Sequence, residues 1–95
     1  MGKPLFLSSS NGSQALKKRY SQLLTKAHES LHKTRVESRD FSAMTMAIDE
    51  TKMAEARQMI QDFRRKLCRF LEGGPRTRVC VLSVQLFPLS KSFKK

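Results

Sequence analysis

Between Met53 and Phe70 the apolar residues are Met53, Ala56, Ile60, Phe63, Leu67 and Phe70, separated by steps of three, four, three, four and three. Only an α-helix, at 3.6 residues per turn, gathers that cadence onto one face. Met59 and Leu71 widen the seam. Asp49 stands where an N-cap is needed, with Glu50 placed to meet the positive end of the helix dipole. Gly73-Gly74-Pro75 closes the pattern: a glycine suits a left-handed C-cap and the proline stops the helix from continuing. The spacing predicts a helix over about 50–72 that must lay its seam against something else.

A second helix is predicted over 13–33. Ser13 or Asn11 is available as its cap, and Gln14 lies three residues after Asn11, as in a capping box. Leu16, Tyr20, Leu23, Leu24, Ala27 and Leu31 make its apolar stripe, and Lys17, Lys18, Gln22, Lys26, Glu29 and Lys33 its polar face. The residues before it, 1–12, end in Ser8-Ser9-Ser10-Asn11-Gly12 and read as a flexible leader.

Two further stretches alternate with period two. In 41–48, Met44, Met46 and Ile48 fall on one side and Phe41, Ala43, Thr45 and Ala47 on the other. In 77–87, Cys80, Leu82, Val84 and Leu86 oppose Val79, Val81 and Phe87, and Pro88 ends the run. Read as strands, they give an α+β domain over 13–89 in the order helix, strand, helix, strand. Such a domain is two-layered, with a β-α-β unit and a sheet completed by self-association, since two strands alone make a poor sheet. Residues 90–95 read as a basic tail. A homodimer is the expected partner state. Phe41, Met44, Met46, Ile60, Phe63, Leu82, Val84 and Leu86 are the expected core or interface.

The formal net charge is +11, from 19 Lys and Arg against 8 Asp and Glu. A charge of that size invites nucleic acid, with Lys17, Lys18, Arg19, Arg64, Arg65 and Arg69 as the phosphate contacts. The excess is spread out, however. Residues 13–40 carry seven positive and three negative charges, and residues 51–72 carry six and three. A solvated basic surface is the simpler reading. No interleaved aromatic residues offer a stacking platform, because Phe63 and Phe70 belong to the helical seam.

Residues for chemistry are missing. Gly73-Gly74 follows a helix, the wrong context for a phosphate loop. Both histidines, His28 and His32, lie on the first predicted helix, so no Ser-His-Asp set is in view, and Asp40, Asp49 and Asp62 do not pair with a second acid. The i, i+4 spacing of His28 and His32 is compatible with a metal on one helix face, but few other ligands stand nearby, and the pair reads as surface histidines. No enzyme, metal or cofactor is expected. Cys68 and Cys80 read as reduced, buried thiols. The apolar run 4–7 is too short for a signal peptide and no stretch suits a membrane span, so a cytoplasmic protein without membrane contact is expected.

Three motifs carry a resemblance. Arg39 to Thr45 fits an R-D-aromatic-S-x-hydrophobic-T pattern, Phe63 to Leu67 fits F-R-R-x-L, and Val79 to Leu89 fits V-Y-x-L-x-x-Q-L-F-P-L. With the first helix, over roughly 14–91, the chain resembles the C-terminal module of a bacterial domain-of-unknown-function family regarded as helix-turn-helix transcriptional regulators. Cys80 replaces the usual Tyr of the third motif, and Ser21 stands where the family commonly has His. Full-length members are nearly three times as long and begin with the helix-turn-helix region. The resemblance therefore implies a truncated member or isolated module: a non-enzymatic regulatory or oligomerisation unit, with a regulator as a further partner.

Overall fold

The computed structural model describes residues 13–93. The chain divides into two units, Met1–Ile48 and Asp49–Lys95. The expected leader, the Asn11 capping box and the tail lysines Lys94 and Lys95 lie outside the described residues.

The first unit holds helix α1, Gln14–Lys33. Ser13 caps it, its hydroxyl accepting the Leu16 N–H at 3.4 Å. Thr34 ends it by turning extended, with φ −83° and ψ 139°, while its N–H still reaches the Ser30 carbonyl at 2.9 Å and the Ser30 hydroxyl bonds the Thr34 hydroxyl at 2.7 Å. His32 and Lys33 occupy the last turn, where positive charge suits the dipole. A 3₁₀ turn at Val36–Ser38 follows. Arg39 then donates from Nε to the Thr34 carbonyl and stacks its guanidinium 5.4 Å from the Phe41 ring centre. Leu16, Tyr20, Leu23, Ala27, Ser30 and Thr34 are half-buried. At 100° per residue they fall within about 80° of arc, so the covered side of α1 is centred on its apolar stripe.

In the second unit a 3₁₀ turn at Glu50–Lys52 leads into α2, Met53–Glu72. Asp49 caps this 3₁₀ turn rather than α2 itself, whose own N-cap, Lys52, makes no side-chain cap bond. Its carboxylate accepts the Thr51 N–H at 3.0 Å and the Thr51 hydroxyl at 2.6 Å. At the other end Gly73 adopts φ −84°, ψ 42°, so the expected left-handed cap is not used; the Gly73 N–H bonds the Phe70 carbonyl at 3.3 Å and Pro75 stops the helix. Past Pro75 the chain runs without regular structure, and the Ser92 hydroxyl donates to Glu50 Oε2 at 2.9 Å. The segment that leaves the end of α2 thus comes back to its beginning.

The α+β expectation is overturned. Among the described residues there are two α-helices, two 3₁₀ turns and no strand, so neither a sheet nor a β-α-β unit is present and the architecture is all-α. Alternation of side chains is a property of any extended backbone, and a strand exists only when a neighbour takes its N–H and C=O groups. Residues 41–48 and 77–87 have no such neighbour. The second stretch nevertheless keeps its alternation. Leu82, Val84 and Leu86 are 40–45% exposed, whereas Val79, Val81 and Phe87 are 65% exposed or more.

None of the described residues is buried.

Candidate functional site

The expected core does not close. Phe41, Met44, Met46, Phe63, Leu82, Val84 and Leu86 are all exposed, and of the eight residues only Ile60 is half-buried. The largest departure is on α2. Its half-buried residues are Met53, Ala56, Ile60, Gln61, Arg64, Leu67, Cys68 and Glu72. At 100° per residue these span an arc whose centre lies about 120° from the line through Met59, Phe63 and Phe70. Those three are 70, 53 and 78% exposed. Arg64, read from sequence as part of a solvated back, is therefore more covered than its neighbour Phe63.

The exposed line on α2 has an ordered flank. Glu55, Asp62, Lys66 and Arg69 are all exposed and fall within about 60° of one another, beside Met59 and Phe70. The two acids occupy the N-terminal half of α2 and the two bases its C-terminal half. Asp62 accepts a hydrogen bond from Gln58 Nε2 at 3.0 Å. Ion pairs Lys26–Glu29 and Arg35–Glu37 lie in the first unit.

The candidate phosphate contacts do not gather. Lys17, Lys18 and Arg19 are consecutive, so each points about 100° from the last. On α2, Arg65 and Arg69 share a side and are exposed, while Arg64 points about 100° away and is half-buried.

Neither cysteine is buried as expected: Cys68 is half-buried, Cys80 is exposed, and both are free. Desolvation pushes the Cys68 thiol above its ordinary value of 9.0. The nearby Glu72 adds to the shift, its carboxylate accepting from Sγ at 3.4 Å. Asp49 moves the other way: the hydroxyl and N–H of Thr51 hold its carboxyl below 3.8.

The His28 and His32 rings meet edge to face, 4.9 Å between centres, and both are exposed. Among the described residues no group of three His, Cys, Asp or Glu is close enough to hold a metal ion. A hollow at the end of α1, lined by Lys26, Glu29, Ser30, Lys33 and Thr34, has about 220 Å³ and is wide open. Small-molecule sites are larger and more enclosed, typically about 300–1,000 Å³. No helix among the described residues is long and apolar enough to cross a membrane.

The sequence profile of a domain of unknown function, DUF4423, matches residues 3–89. The chain belongs to that family. The DUF4423 match takes in both helices and the ribbon through Leu89. No curated protein and no solved structure matches the chain.

Proposed function

We propose that this DUF4423 chain is a non-enzymatic regulatory or oligomerisation module, related to helix-turn-helix transcription regulators, and that its working state is a homodimer. The observation that carries the reading is the missing core: none of the described residues is buried, and large apolar side chains such as Met44, Met59, Phe63, Phe70 and Val79 stand more than half exposed. Stable interfaces remove about 1,200–2,000 Å² in total, and obligate ones more. A chain with these side chains uncovered is stabilised by association, because burial contributes roughly 25 cal/mol per Å² of apolar area removed from water.

Thermal unfolding followed by circular dichroism over a hundredfold range of protein concentration tests it. Association that stabilises the fold makes Tm rise with concentration. A cooperative transition whose Tm does not move with concentration contradicts the proposal.

The net charge of +11 supports a second reading, contact with nucleic-acid phosphates through Lys17, Lys18, Arg19, Arg64, Arg65 and Arg69. Titration with duplex DNA at low and moderate salt separates the two. Phosphate binding weakens steeply with salt, and absence of binding at low salt removes this reading.

A further inference from the structure

We infer that the exposed face of α2 is the dimer contact, and that it receives the same face of a second copy running antiparallel, with the two-fold axis near Phe63. The inference rests on the association proposed above and adds the surface, its orientation and its pairing.

Three observations carry it. The first is the mismatch between pattern and cover. The six-residue seam from Met53 to Phe70 is the strongest apolar signal in the chain, and four of its members are half-buried, yet the cover is centred about 120° to one side of Met59, Phe63 and Phe70. These three stand clear as a line along the helix, with a Phe at its middle. Two aromatic residues and a methionine at i, i+4 and i+11 are the kind of anchor a helix lays against another helix.

The second is further exposed apolar surface. A standard interface takes about 800 Å² from each partner. In the same unit the ribbon residues Val79, Val81 and Phe87 are 65% exposed or more and add to what the α2 line offers.

The third is charge order, and it selects a second copy. Along the flank the sequence runs Glu55, Asp62, Lys66, Arg69. A parallel two-fold copy carries this flank to the far side of the contact line, so its charges do not face their counterparts. An antiparallel copy about an axis near Phe63 brings Glu55 and Asp62 of one chain opposite Arg69 and Lys66 of the other, and by symmetry does so twice. Phe63 meets its own counterpart, and Met59 comes within a turn of the partner's Phe70. An isologous interface needs this self-complementarity. It also explains how a chain of net charge +11 associates with itself, because the flank that meets its copy is locally balanced, with two acids and two bases.

Charge reversal in the full chain, read by sedimentation equilibrium, tests this. Glu55→Lys with Asp62→Lys should weaken association at least about tenfold, from rim pairs worth a few tenths to one kcal/mol each. Lys66→Glu with Arg69→Glu should weaken it as much, even though it brings the chain nearer neutrality. General repulsion between basic chains predicts the opposite, tighter association. All four substitutions together should restore the original affinity. These surface changes leave the apolar seam intact, so loss of folding does not imitate the result. Phe63→Ser should abolish the dimer outright. If wild type dimerises but ignores the reversals and Phe63→Ser, the surface is misassigned while the association stands. If Leu24→Ser on α1 breaks it instead, α1 is the contact. If wild type is a monomer at tens of micromolar, both the association and this surface are wrong.

Discussion

Helices α1 and α2 are each 20 residues long and each carries an apolar stripe at helical spacing, yet the chain treats them differently. On α1 the cover is centred within about 30° of the stripe: Leu16, Tyr20, Leu23 and Ala27 are half-buried, and Leu24 and Leu31 at one edge are exposed. On α2 the cover is centred about 70° from the seam: Met53, Ala56, Ile60 and Leu67 are half-buried together with Arg64 and Cys68, while Phe63 and Phe70 face outward. Periodicity says which face of a helix is apolar. What covers that face is decided by which segments the chain has to spare and where they can reach. The ribbon after Pro75 returns from the end of α2 to Glu50, where Ser92 bonds the carboxylate.

The sharpest way to break this comparison is a matched pair of truncations. Phe63→Ala should raise the dimer dissociation constant about a hundredfold, because the symmetric dimer loses two aromatic side chains, each half exposed before association and worth about 1.5 kcal/mol. Leu23→Ala on α1 should leave that constant unchanged. It should instead destabilise the fold by about 1 kcal/mol, because a half-buried leucine forfeits only part of its transfer free energy. Equal effects of the two on association erase the distinction between the helices.

A smaller change tests the start of α1. Ser13→Ala removes the acceptor of the Leu16 N–H and should cost about 0.5 kcal/mol, the low end for a cap whose bond is 3.4 Å long. It should reduce helix content without changing the dissociation constant.

The start of α2 is addressed by pH. Thr51 holds the Asp49 carboxyl below 3.8 in the folded chain, so this cap contributes its stability above the unfolded value and loses it as pH falls through the folded one. Helix content should therefore decline in acid below about pH 4, and Asp49→Asn should flatten the Asp49 part of that decline. An unchanged acid profile in the variant contradicts the assignment.

The covered side of α2 has its own probe. Desolvation and Glu72 raise the Cys68 thiol, so alkylation at mildly alkaline pH should modify exposed Cys80 first and Cys68 more slowly. Faster labelling of Cys68 places the cover on the wrong side of the helix.

Both helices, their boundaries within a residue or two, the Asp49 and Ser13 caps and the alternation of 79–87 were legible in the sequence, because each depends on neighbours within one or two turns. The sheet was not, because it depends on a partner strand that alternation cannot supply. Met44, Met46 and Ala47 in the first stretch are weak strand formers in any case. Nor was the exposed line on α2 legible as distinct from the rest of the seam. Met59 looked like an outlier that widened the seam, and it is the residue that shows which way the open face points. The ordering of Glu55, Asp62, Lys66 and Arg69 was visible as charge. It acquired meaning only once those residues were seen to border uncovered Phe63 and Phe70.

The most direct measurement is the mass of the intact chain by sedimentation equilibrium across a range of concentrations at physiological salt. A dimer of twice the chain mass, dissociating only on dilution and losing helix content as it does, is the predicted result. A monomer that keeps its helices and melts cooperatively at tens of micromolar would contradict the claim that this chain completes its fold by association.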